Sequence, residues 1–83
     1  MAWTVIWSEE ALKDLASLDN QVARRIMDKV ESTISDPVHF FERLRRSRYH
    51  KLRIGDYRVL ARLSYEERQI VVRRAGHRSH IYD

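Results

Sequence analysis

The sequence has no cysteine, a single proline, two glycines and no long apolar run. Without cysteine there are no disulfides, iron–sulfur clusters or thiolate zinc sites to staple the chain, so a hydrophobic core must hold it. The absence also fits a reducing compartment. No stretch approaches the roughly 18–20 apolar residues of a membrane span. The start, Met1 to Trp7, lacks the basic region, long apolar stretch and small-residue cleavage site of a secretory signal. A cytoplasmic protein with no membrane partner is expected. Linkers, repeats and low-complexity segments are absent too. At roughly 100–200 residues per domain, residues 1–83 form one domain.

What is present is charge, unevenly placed. Residues 1–42 hold four basic and eight acidic side chains, whereas residues 43–83 hold twelve basic and four acidic. A net of −4 against +8 points the second half toward a polyanion, with a solvated cationic surface as the alternative. The 43% of apolar residues suffices for a modest two-layer core.

Trp3–Trp7 alternates like a short strand, with Trp3, Val5 and Trp7 on one face. Ser8 reads as a helix N-cap with Glu9 and Glu10 in the first turn, and Ala11, Leu12, Leu15 and Leu18 follow at helical spacing. Asp19 caps a second helix carrying the stripe Val22, Ile26, Val30 and Ile34, which Asp36-Pro37 stops. Phe40, Phe41 and Leu44 suggest one short helical turn, followed by the crowded Arg43, Arg45, Arg46 and Arg48. From Tyr49 the period becomes two. Tyr49–Ile54 and Tyr57–Ser64 flank Gly55-Asp56 as a tight hairpin, and a third strand runs from Gln69 to Ala75. The order β-α-α-β-β-β predicts an α+β domain: an N-terminal strand, an antiparallel helical hairpin and a C-terminal antiparallel sheet of about three strands, with the helices on one face.

If Gly55 and Asp56 form the loop, Ile54 opposes Tyr57, Leu52 opposes Val59 and His50 opposes Ala61, all toward the helices. The other face then pairs Arg53 with Arg58, Lys51 with Leu60 and Tyr49 with Arg62. Like charges directly opposite on a sheet cost some tenths of a kcal/mol, roughly, per pair. A bound phosphate reverses that repulsion, because guanidinium presents a planar fork to its oxygens. The alternative is that the arginines splay into water over their own stems. His50 reads as a core histidine and His39 carries no signal. His77 and His80 flank Arg78 in the tail, where either is a candidate proton donor or acceptor; no carboxylate cluster accompanies them, so a metal is not expected. Tyr82 reads either as a base-stacking aromatic or as a core plug.

The run Tyr49-His50-Lys51-Leu52-Arg53-Ile54-Gly55-Asp56-Tyr57-Arg58-Val59-Leu60, then Gly76-His77-Arg78 and Ile81-Tyr82, resembles the RelE/ParE toxin superfamily. The Glu10–Leu15 opening of the first helix is also similar, so the resemblance spans essentially the whole chain. It implies the toxin of a type II toxin–antitoxin system with a RelE-like microbial RNase fold and no cofactor. The RelE branch cuts mRNA in the ribosomal A site and is silenced by a RelB-like antitoxin. The ParE branch poisons DNA gyrase. A non-catalytic member would act with its antitoxin as a repressor on operator DNA. The RelE pattern falls on Lys51, Arg53, Arg58, Arg78 and Tyr82 as catalytic positions. Arg53 departs from the family's lysine and is a poor base, since guanidinium stays protonated. His77 or His80 is therefore the candidate acid or base.

Cleavage without a metal requires attack of the 2′-hydroxyl on the adjacent phosphorus, charge stabilisation at the phosphorane and a proton donor for the 5′-oxygen. Arg58 and Arg78 suit the phosphorane, and Tyr82 would orient the base. Lys51 accepts a proton if neighbouring cations favour its neutral form. Arg43, Arg45, Arg46, Arg48 and Arg62 are the expected contacts to mRNA and ribosome.

Overall fold

The first two helices begin where a short polar side chain replaces a missing backbone partner. The structure is a computed structural model and describes residues 2–81. β1 is Thr4–Trp7, and it hands over to α1, Glu9–Ala16, at Ser8. Ser8 has extended backbone (φ −66°, ψ 162°), and its Oγ accepts from the Ala11 N–H at 3.1 Å, satisfying one orphan donor of the first turn. Asp19 does the same for α2, Asn20–Glu31, by accepting from the Gln21 N–H at 3.3 Å. α2 stops at Glu31 rather than at Asp36-Pro37. Ser32 and Thr33 donate their hydroxyls back to the Lys29 and Val30 carbonyls, at 2.6 and 2.7 Å, and turn the chain there. Pro37 instead opens α3, Pro37–Phe40, where its missing N–H costs nothing.

Among the described residues, four strands follow α3. β2 is the two-residue Glu42–Arg43, β3 is Tyr49–Ile54, β4 is Tyr57–Ser64 and β5 is Gln69–His77. They form one sheet in the order β1-β5-β4-β3-β2. β1 lies parallel to β5, and the remaining pairs are antiparallel. The α+β arrangement expected from the sequence therefore holds, with β2 added at one edge and β5 longer by two residues.

The hairpin register is the expected one: Ile54 faces Tyr57, Leu52 faces Val59, and Arg53 faces Arg58. Gly55 takes φ +59°, a left-handed turn conformation that side chains disfavour. Between β4 and β5 the register shifts at Leu60/Ala61: Leu60 faces Arg74 while Ala61 faces Val72, leaving Arg73 extra. This bulge reverses which face each later residue of β5 occupies.

One face of the sheet is sealed by α1 and α2. Ala11 and Leu15 of α1 and Ile26 and Val30 of α2 meet Leu52, Val59, Ala61, Ile70 and Val72 in a single core. Burying a side chain such as Ile26 or Ile70 stabilises by about 1.5–3 kcal/mol. The opposite face carries Lys51, Arg53, Arg58, Leu60, Arg62 and Val71. Among the described residues, no helix is long and apolar enough to cross a membrane.

Candidate functional site

The open face owes its composition to period-two alternation. Along β3 the even positions His50, Leu52 and Ile54 are buried, so Lys51 and Arg53 fall on the other side. On β4, Val59, Ala61 and Leu63 are buried, which sends Arg58, Leu60 and Arg62 to the same side. Arg53 and Arg58 are direct cross-strand partners at the hairpin end, with Lys51 opposite Leu60 one step further along that face. Arg58 is half-buried, with its Nε sealed from solvent, whereas Arg53 and Arg62 are exposed. The result is a bed of cations with one guanidinium half-buried in its floor.

Arg78 is brought to this end by the backbone. Its N–H donates to the Asp56 carbonyl at 2.9 Å, tying the tail to the hairpin turn two residues beyond the Arg58–Gly76 pair. The chain then folds back through hydrogen bonds from the His80 and Ile81 N–H groups to the His77 carbonyl. Ile81 packs so closely that a Cβ at Gly76 would lie 3.4 Å from it.

The histidines lie elsewhere. His77 is the partner of Tyr57 in the register, and so belongs to the helix-covered face, opposite to Arg58. Its ring stands edge-on to Tyr57 at 5.6 Å, and its Nδ1 lies 2.8 Å from Ser79 Oγ. His80 also approaches Ser79 Oγ, at 3.3 Å, and both rings line a pocket against Asp14, Leu18 and Ile81. Tyr82 lies outside the described residues.

The arginine-rich segment divides in two. Arg43 on β2, Arg48 in the following loop and Arg62 on β4 line a pocket of 380 Å³ together with His50 and Tyr65. Arg45 and Arg46 are exposed in the loop, Arg46 in the left-handed region at φ 56°. His50 is 9% exposed; burial, and then the nearby Arg43 charge, push its pKa below 6.5.

Sequence reading passed over two acidic residues. Glu42 sits 4.0 Å from Lys51 Nζ because β2 pairs Glu42 with Lys51, and a two-residue polar strand has no alternation to betray it. Asp14 accepts from Arg74 Nε at 2.8 Å, Arg74 Nη2 at 3.2 Å and the Ala75 N–H at 3.0 Å. It thereby caps the part of β5 that β1 does not reach, and it raises the Arg74 pKa through the hydrogen bond and its charge.

This sheet, with helices on one face and cations on the other, has the architecture of the RelE/ParE toxins. Residues 5–82 match the family model described as the ParE toxin of the type II toxin–antitoxin system parDE, and the chain belongs to that family. Among solved structures, the toxin–antitoxin complex RelBE2 of Mycobacterium tuberculosis is similar at 26% identity and a TM-score of 0.87, covering 94% of this chain and 100% of that one. The archaeal RelE–RelB complex of Pyrococcus horikoshii OT3 shares the fold at 23% identity and TM-score 0.78, covering 98% and 100%. So does the intact RelBE complex of E. coli, at 21% identity and TM-score 0.77, covering 92% and 96%. A comparison with curated proteins gives no match.

Proposed function

We propose that the chain is a RelE-type toxin: a ribosome-dependent endoribonuclease that cuts mRNA in the A site, acts in the cytoplasm, and is held inactive by a RelB-like antitoxin. The observation that carries this reading is the opposed Arg53–Arg58 pair, with Lys51 on the same face and Arg78 tied to the turn beside it. Guanidinium groups carried on one open sheet face suit a phosphorane, whose charge grows as the 2′-oxygen attacks. Arg58, fixed in the floor, supports that charge, and Arg78 supports it from the tail. Lys51, acting as the free amine, takes the 2′-hydroxyl proton and passes it to the leaving 5′-oxygen, while the Glu42 carboxylate 4.0 Å from Nζ steadies the ammonium formed in between. Arg53 holds the adjoining phosphate. The side chains of the site supply both charge and proton transfer, so the reaction as proposed uses no metal or cofactor.

His77 and His80 are set aside as acid or base for this reaction, because His77 belongs to the helix-covered face and His80 lines the pocket there. Tyr82 remains proposed as the residue that orients the base. Arg43, Arg48 and Arg62, around their pocket, and the exposed Arg45 and Arg46 hold ribosomal RNA through its phosphates. Operator DNA would be reached only through the antitoxin complex.

The match to a ParE model favours a second reading, in which the same fold acts on DNA gyrase. Programmed ribosomes carrying a defined A-site codon separate the two. The first reading expects mRNA cut within that codon and gyrase supercoiling untouched. Intact mRNA together with failed supercoiling overturns it.

A further inference from the structure

Among the described residues, β2 pairs with His50 and Lys51 alone, and no strand pairs with the outer edge of β3 at Leu52–Ile54. Beside it runs α2, and between them lie two grooves. One, of 720 Å³, is lined by Arg24, Arg25, Lys29 and Arg53 with Gly55 at its end. The other, of 530 Å³, is lined by Lys29, Phe40, Glu42, Lys51 and Arg53. Lys29 and Arg53 line both, so the two grooves form one path. Lys51 and Arg53 also belong to the open face, which makes that path a continuation of the proposed site around the edge of the sheet.

Five cations line this path against two carboxylates, Asp28 and Glu42. Glu42 is already engaged with Lys51. The Arg25 guanidinium reaches across to the hairpin turn, into room that exists only because Gly55 has no side chain: a Cβ there would lie 2.8 Å from Nη2. In the second groove stands Phe40, an aromatic ring 43% exposed, with the Lys29 ammonium 5.7 Å from its centroid and the His39 ring edge-to-face at 5.1 Å. A row of cations interrupted by a partly exposed aromatic ring is how proteins hold single-stranded nucleic acid, charges following the phosphates and the ring taking a base. An acidic peptide would use the charges but has no flat apolar face to set on Phe40.

We propose that this path binds the phosphate backbone of single-stranded RNA continuing from the open face, with one base stacked on Phe40. The inference rests on the RNA reading of that face, and it extends the footprint beyond the codon that is cut.

Fluorescence anisotropy with uncleavable 2′-O-methyl RNA of three and nine nucleotides tests it on the full chain. The longer RNA should bind at least about tenfold tighter, because more phosphates release counterions. Arg24→Ala with Lys29→Ala, both exposed and both sparing the Arg25–turn contact, should abolish that gain. The same variant should flatten the salt dependence by about 1.4 in log–log slope, at roughly 0.7 per phosphate of a single strand. Phe40→Leu should weaken binding by about tenfold, with the slope unchanged. The proposal falls if the nine-nucleotide RNA gains nothing, if the double variant binds like wild type, or if only a polyglutamate peptide occupies the path. Assaying the same variants on programmed ribosomes separates the two ideas. Cleavage combined with an inert path refutes the path alone, whereas a responsive path without cleavage refutes the nuclease.

Discussion

The two faces of this sheet are written in the same alternating residues and serve opposite ends. On the helix side, Leu52, Ile54, Val59, Ala61, Ile70 and Val72 are at most 5% exposed, and their identity is dictated by packing. On the open side, the hairpin register turns Lys51, Arg53, Arg58 and Arg62 away from the buried core residues of the same strands, so nothing in the core requires four cations there. One face is constrained by volume and the other by charge. Substitutions should therefore separate stability from activity according to face.

The largest effect belongs to the packed face. Ile70→Ala should cost about 2–5 kcal/mol, a large part of the 5–15 kcal/mol typical of a small domain; the shift in urea midpoint measures it. An open-face change of similar size in energy should leave folding alone: Arg58→Ala is expected to slow cleavage by about 10²–10³, with a melting temperature near that of wild type. If Arg58→Ala unfolds the chain, its buried Nε serves the fold and the division between faces fails.

Smaller effects sharpen the boundary. Asp14→Ala removes the cap on β5 and should cost about 1–3 kcal/mol, toward the lower end because the Arg74 side chain is 40% exposed. Chemical denaturation reads this, while cleavage should persist. His50 gives the packed face a pH dependence. Its folded pKa lies below the ordinary 6.5, so the folded state holds fewer protons than the unfolded one. The stability it contributes is complete above about pH 6.5 and is lost as pH falls through the lower folded value. The melting temperature should drop by a few degrees from pH 7.5 to 5, and His50→Leu should flatten that slope. The smallest change runs the other way. Arg53→Gln relieves the cross-strand repulsion and should stabilise by about 0.2–1 kcal/mol while weakening RNA binding.

How much of this could be read beforehand follows from where local signals exist. The hairpin and its faces were legible because alternation and Gly55-Asp56 agree on one register. The end of α2 was misplaced because Asp36-Pro37 is a loud stop signal, while the hydroxyls of Ser32 and Thr33, which turn the chain, are quiet. The pairing of β1 with β5 is a long-range event with no mark in either strand. The side occupied by His77 was hidden for a sharper reason. Regular alternation from Ile70 and Val72 would send His77 to the cationic face, and the single extra residue at Arg73 reverses it. Charge, finally, was visible as an excess in one half of the chain, but the path past Lys29 and Phe40 joins both halves and exists only in the folded molecule.

The most direct test of the account replaces one atom of the substrate. Programmed ribosomes would carry mRNA with either a 2′-hydroxyl or a 2′-deoxy sugar 5′ to the cut phosphate. Cleavage of the first is expected, leaving a 2′,3′-cyclic phosphate or its hydrolysis product, with the second strand intact. Equal cleavage of both would show that the 2′-oxygen is not the nucleophile and would contradict the role given to the cationic face.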